Sequence, residues 1–198
     1  MAGGAGTRLG RGEKPLYEIG GVPMIDRVVG ALTDSDVDRI RVVTSPHTPE
    51  TAAHVDVSTL RTPGDGYVAD LERALAAVDL PVLTVTADLP LLTGPVVDRI
   101  LEETGNGSTA VCVPIDLPRR LGATVDTTMT GGGATVDTTM TGGETGDATP
   151  TVDGTTVVPT GVNVVGDTDR TETLVMRERT LAVNVNRPRD ARVAEVLA

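Results

Sequence analysis

The sequence predicts a three-layer α/β/α sandwich around a mostly parallel sheet, and three observations lead there. Short apolar strands alternate with helices of helical hydrophobic period, which is the pattern of a parallel sheet covered on both faces. Residues 81–86 (PVLTVT) form the β-branched run that a strand buried on both faces uses. The chain also opens on a glycine-rich stretch, Gly3, Gly4 and Gly6, of the kind that follows a strand and approaches a ligand closely. A chain of 198 residues is long enough for one domain with a real hydrophobic core, so 1–198 is expected to be a single unit.

Pro23 is placed to open a helix, since proline is favoured at the first helical position, and Met24, Ile25, Val28, Val29 and Leu32 share one face of it. Residues 39–44 (RIRVVT) read as a short strand. Thr48 and Pro49 have the chemistry of an N-cap and first position for a helix running to about His54. Gly64, Asp65 and Gly66 mark a turn before a helix over 67–78, where Val68, Leu71, Leu75 and Val78 keep helical period. The strand over 81–86 ends at Ala87-Asp88-Leu89-Pro90. Thr93 and Pro95 then start a helix to about Thr104, and 108–114 follows as a strand.

Residues 115–153 break this rhythm. The stretch 122–132 (GATVDTTMTGG) is repeated letter for letter as 133–143, an eleven-residue tandem duplication. Neither copy has helical period, so the interval reads as a surface loop or hairpin insertion, too short in repeats for a solenoid. Asp126 and Asp137 resemble no calcium loop. Beyond it, 155–158 and 161–165 read as strand segments and 181–185 as the last strand. A C-terminal helix to Leu197 follows Asn186-Arg187-Pro188.

Composition excludes several function classes. The net charge is −11, with 28 acidic against 17 basic residues, and Phe and Trp are absent. Such a chain cannot neutralise phosphates along a nucleic acid, so no nucleic-acid partner is expected. Low lysine, abundant Asp and Thr, and small apolar side chains suit a salt-loaded, halophilic cytoplasm, where screening shortens self-repulsion. Cys112 stands alone, so neither an intramolecular disulfide nor a zinc cluster is spelled out. No apolar run approaches the length of a membrane span and no signal-peptide pattern is present, so a cytoplasmic protein is expected. A homodimer is compatible with the sequence.

The glycine-rich loop is the first candidate site. Backbone N–H groups of Ala2, Gly3, Gly4, Ala5, Gly6 and Thr7 can form a concave nest for an anion. Arg8 adds a fork suited to phosphate oxygens, and Lys14 a compact point charge. Lys14 is the only lysine of the chain, and a chain that has otherwise dropped lysine keeps one beside this loop because an ammonium is needed there. The competing reading is a flexible N-terminus with an incidental lysine. No Gly-Lys-Ser/Thr follows at P-loop spacing, and the loop does not fit the dinucleotide fingerprint, which needs a strand just before it and an acidic residue about twenty residues on.

Asp88 is the second candidate. It stands at the carboxyl end of a buried strand, where open α/β sheets bind ligands, and can hold Mg²⁺ together with substrate phosphates. Further metal ligands must come from the same rim: Asn186 is the first choice and Asn184 the second, although both could serve only the turn before Pro188. His47 and His54 pair with no nucleophile by motif and are expected to face solvent. That absence suits a phosphate acceptor, whose second pKa of about 6 leaves it largely ionised near neutrality. Such an acceptor attacks a nucleotide α-phosphate without a general base, and the protein positions groups and neutralises charge.

Gly3-Gly4-x-Gly6-Thr7-Arg8-Leu9 followed by Glu13-Lys14-Pro15-Leu16 resembles the signature loop of nucleotidyltransferases built on a Rossmann-like sheet. The blocks 44–51 (TSPHTPET), 64–71 (GDGYVADL), Asp88-Leu89, 159–165 (PTGVNVV) and 183–186 (VNVN) extend this to the archaeal adenosylcobinamide-phosphate guanylyltransferases. The resemblance implies transfer of GMP from GTP to a corrinoid phosphate, with release of pyrophosphate, in the assembly of the nucleotide loop of cobalamin. It implies that the loop with Arg8 and Lys14 holds the triphosphate. Ser45, Pro46, Gly64 and Gly66 would then border the guanine, with Gly161 and Asn163 towards the acceptor.

Molybdenum cofactor guanylyltransferases share the loop, the Asp and the Asn-Val-Asn end, and a noncatalytic nucleotide-binding sensor could use the same fold. Retention of both Lys14 and Asp88 argues against the sensor. A sheet of this kind needs a first strand of about five residues before its Gly loop, yet only Met1 and Ala2 precede Gly3. We therefore expect a translated start upstream of Met1, with an apolar run. Met1 is expected to lie centrally in the sheet layer, between the strands over 39–44 and 81–86.

Overall fold

A computed structural model describes residues 1–3, 9, 12–125 and 150–198. A 3-10 turn, Lys14–Leu16, leads into a hairpin of β1 (Glu18–Ile19) and β2 (Val22–Pro23), whose tip residues Gly20 and Gly21 both take positive φ. The helix α1 (Met24–Thr33) follows with Met24, Ile25, Val28 and Ala31 buried. Pro23 closes β2 and serves as its N-cap residue, one position earlier than the sequence suggests. Next come β3 (Val42–Thr44), α2 (Pro49–His54), β4 (Thr59–Arg61), α3 (Tyr67–Leu75), β5 (Val82–Val85) and α4 (Gly94–Glu103). The second half contains β6 (Ser108–Pro114), α5 (Asp116–Leu121), β7 (Thr151–Val152), β8 (Thr155–Val165), β9 (Thr171–Val175) and α6 (Pro188–Leu197).

The α/β class is as expected, and the sheet is mixed. β3 pairs β4 in parallel and β6 pairs β9 in parallel, whereas β8 runs antiparallel to both β5 and β6. Val157, near the start of β8, pairs with Pro114 at the end of β6. The chain therefore re-enters the sheet at the end where it left, which makes β8 antiparallel to β6. The main core lies between this sheet and α1 and α4, where Val97, Ile100, Val111 and Val162 are fully buried.

Three differences from the sequence reading have physical causes. The helix α5 lies inside the interval read as a break; Gly122, in the left-handed region at φ 79°, ends it. The tandem repeat beyond Val125 lies outside the described residues. Residues 181–185 are not a strand, although Leu181, Ala182, Val183 and Val185 are buried. They are held as an irregular connection, with the Val185 N–H donating to the carbonyl of Asp88 (2.9 Å). The last strand is instead β9, whose sequence TETLV alternates too weakly to register as one. Thr171 and Glu172 are exposed, and β9 lies at the edge of the sheet.

Met1 and Ala2 lie in the sheet layer, as expected. The Ala2 N–H donates to Val43 O (2.8 Å) on one side. On the other, the Met1 amino group donates to Val85 O (2.6 Å) and Met1 O accepts from Ala87 N (3.0 Å), the alternation of a parallel pairing. These two residues thus join β3 to β5. Upstream of them, between the same strands, is a cavity of about 1050 Å³ walled by Val42 and Val43, by Leu83 and Val85, and by Ile25 and Val28 of α1.

Candidate active site

The site lies where the start of the chain meets the ends of β3 and β5. Ala2, Gly3, Lys14, Gly64, Gly66 and Asp88 line one cleft of about 350 Å³, together with Tyr67, Asp70 and His47. Gly4, Ala5, Gly6, Thr7 and Arg8 lie outside the described residues.

Gly3 is fixed by Ser45, whose hydroxyl donates to Gly3 O (2.8 Å) and accepts from His47 N–H (3.1 Å). Ser45 is buried and stands behind the cleft wall rather than in it. A Cβ on Gly3 would come within 3.3 Å of Ser45 Cβ, so a side chain there would have to displace Ser45 slightly. Pro46 is exposed and, with His47, packs against Gly64, which sits at φ 83°. His47, expected to face solvent, also borders the cleft.

Lys14 is anchored through its neighbour. Glu13 reaches α2 and accepts hydrogen bonds from Glu50 N (2.7 Å), Thr51 N (2.7 Å) and the Thr51 hydroxyl (2.6 Å). It thereby supplies the cap that Thr48 does not, because the Thr48 hydroxyl is engaged with Ser45. Removing a helix cap costs about 0.5–2 kcal/mol, so Glu13→Ala should lower the melting temperature by several degrees. A thermal melt checks this, and an unchanged transition would rule out the capping role.

From that turn, Lys14 Nζ donates to Asp88 Oδ2 (2.5 Å) and to Asn186 Oδ1 (2.6 Å). Burial pushes the Asp88 carboxyl up, but the Lys14 charge and hydrogen bonds from Lys14 and Asn184 outweigh it and hold the group below the usual carboxylate range. Burial and the Asp88 charge raise Tyr67, which keeps its phenol protonated beside the cleft.

The backbone around Asn186 is fixed by the fully buried Asp190, which accepts from Asn186 N (3.2 Å), Arg187 N (3.0 Å) and Thr124 N (2.8 Å). Asn184, the second choice of ligand, is hydrogen-bonded to the Asp88 carboxylate. Its Nδ2 donates to Asp88 Oδ1 (3.2 Å) and to Thr160 O (2.9 Å), so the residue orients the carboxylate. Gly161 and Asn163 sit within β8, paired with β5 and β6, and neither lines the cleft. A Cβ on Gly161 would collide with the Thr86 hydroxyl beneath it.

Among the described residues no three His, Cys, Asp or Glu side chains converge, and no helix is long and apolar enough to cross a membrane. Asp88 and Asn186 are the two oxygen donors already gathered round one cation, the ammonium of Lys14. A carboxylate with a neutral oxygen fits part of the oxygen ligand set that Mg²⁺ takes. Sequence reasoning missed Glu13, Asp70 and Asp190, each of which works by accepting backbone N–H groups.

The pattern of the MobA-like NTP transferase domain matches residues 1–189. The chain belongs to that family. It is a nucleotidyltransferase, and the cleft around Lys14 and Asp88 is its candidate active site. Over its whole length it is 30% identical to the adenosylcobinamide-phosphate guanylyltransferase of Methanocaldococcus jannaschii, of which it covers 94%. A probable molybdenum cofactor guanylyltransferase of Thermococcus sibiricus is 33% identical over 58% of each chain. A hypothetical transferase structure from Thermus thermophilus superposes with a TM-score of 0.65 at 19% identity over 96% of both chains, which supports the NTP transferase fold.

Proposed function

We propose that this nucleotidyltransferase moves GMP from GTP to adenosylcobinamide phosphate and releases pyrophosphate. The observation that carries this reading is the full-length match to the Methanocaldococcus jannaschii enzyme, against one of little more than half the chain to the molybdenum cofactor relative. On its net charge of −11 we place the protein in a salt-rich cytoplasm.

An oxygen of the acceptor phosphate attacks the α-phosphorus of GTP. The bond to the α,β-bridging oxygen breaks, and that oxygen leaves with pyrophosphate. The acceptor oxygen is already ionised, which fits a cleft whose polar groups are set to neutralise and position. Gly3, with its carbonyl tied to Ser45, keeps the backbone close to the triphosphate. Lys14 carries charge to the phosphates, and Arg8 would add a second cation. Asp88 and Asn186 would hold Mg²⁺, which offsets phosphate charge, while Asn184 keeps Asp88 turned towards the cleft.

The deciding experiment is pyrophosphate release from GTP with each acceptor in turn. Release with adenosylcobinamide phosphate and not with molybdopterin is expected. The reverse would transfer the protein to the molybdenum cofactor enzymes, and release with neither acceptor would count against both readings. A second test addresses the metal. Asp88→Asn should lower turnover by at least tenfold and raise the Mg²⁺ concentration needed for half-maximal rate, with GTP still bound through the backbone. An unchanged Mg²⁺ dependence would give Asp88 another task.

A further inference from the structure

We infer that Asp70 reads the guanine base and sets the preference for GTP. This rests on the guanylyltransferase reading above and names a residue for its specificity. Asp70 is in the first turn of α3, is 95% buried by its 5% exposure, and still lines the cleft that holds Lys14 and Asp88. One of its oxygens, Oδ1, accepts the N–H of Gly64 (2.9 Å). The other, Oδ2, has no hydrogen-bond partner among the described residues and lies towards Gly3, 3.6 Å from where a Cβ on that glycine would be.

A carboxyl oxygen that faces a cleft and takes no donor from the described residues is open to accept one from a ligand. Guanine supplies two. Its N1–H and N2–H₂ lie side by side on one edge and match the paired oxygens of a carboxylate, as a guanidinium does. Adenine offers N1 as an acceptor on that edge and carries nothing at C2, so its lone pair would face the carboxylate. Gly3, Gly64 and Asp70 line the same cleft.

The Gly64 bond also gives Asp70 a structural task, holding a turn at φ 83°. Base selectivity separates the two roles. Asp70→Asn keeps an oxygen for Gly64 N–H and nearly the same shape. Its amide nitrogen, however, opposes the guanine donors and can donate to the C2 carbonyl of xanthine. Equilibrium binding of GTP, ITP and XTP to the whole protein, without acceptor, measures this.

Wild-type protein should bind GTP at least tenfold more tightly than ITP, which lacks N2, and should reject N1-methyl-GTP. Asp70→Asn should lose about 10²-fold in GTP affinity, cease to distinguish GTP from ITP, and gain affinity for XTP. Unchanged GTP selectivity in Asp70→Asn overturns the inference while leaving the guanylyltransferase reading intact. Should that variant fail to fold, the wild-type measurements decide alone, since N1-methyl-GTP bound as well as GTP is equally fatal. Wild-type protein that binds no nucleotide refutes both.

Discussion

Lys14→Ala should lower turnover by about 10²-fold or more at saturating GTP, the loss expected when a preorganised charge at the reacting phosphates is removed. Steady-state pyrophosphate release checks it, and a rate near that of wild type would remove Lys14 from the chemistry. Lys14→Arg should recover only part of the loss. The Lys14 ammonium meets Asp88 and Asn186 at one point, and a planar fork cannot reproduce that convergence.

Stability should respond as well, with a definite sign. With Lys14 present, the folded-state pKa of Asp88 lies below its ordinary value. The pair therefore adds stability that is present above the unfolded carboxylate pKa and lost as pH falls through the lower, folded value. Without Lys14, burial is left to push Asp88 up. The variant should then lose most stability at neutral pH and least in acid, where the carboxyl is protonated in both states. A melting-temperature difference that does not shrink on acidification would show that Lys14 and Asp88 are not coupled.

The parts legible in the sequence were those carried by rare residues or strong periods. A lone lysine beside clustered glycines, and an aspartate ending a β-branched run, name themselves; the structure brings Lys14 and Asp88 into contact across 74 positions of sequence. Glu13, Asp70 and Asp190 do not, because their partners are backbone N–H groups that any residue supplies. Glu13 finds Glu50 and Thr51 only once α2 is in place, and nothing in the letters records that meeting. The same limit explains the misread strand over 181–185. Apolar residues there satisfy the pattern of a buried strand, but burial came from packing beside α6 and the N–H of Val185 went to a loop carbonyl. Pattern reports which side chains leave water and not which backbone groups pair.

The cavity between β3 and β5 leads to the other large effect. Extending the chain by five small or β-branched apolar residues ahead of Met1 should raise the melting temperature by about 10 °C and tighten GTP binding. Met1 already points the way in, bonded to β5 while Ala2 bonds to β3. Each added residue would lose about 1–2 kcal/mol of backbone freedom. Against that, burying its side chain gains about 1.5–3 kcal/mol, and hydrogen bonds to the two strands about 1 kcal/mol each. A net gain of about 1 kcal/mol per residue is then reasonable, and each kcal/mol is worth about 2–4 °C in a chain of this size. GTP binding should follow because a strand held on both edges fixes Gly3 beside the phosphates. The extension also removes a pH dependence. Burial lowers the Met1 amino group from 8.0 to about 6, with the Asp88 charge opposing. The unfolded chain thus binds more protons between those values, and stability falls as pH drops through that window. In the extended chain that amine becomes an amide, and the slope between pH 6 and pH 8 should flatten by on the order of 2 kcal/mol. Melts of both chains at the two pH values test it, and equal transitions at each would mean that a strand gains nothing by filling the cavity.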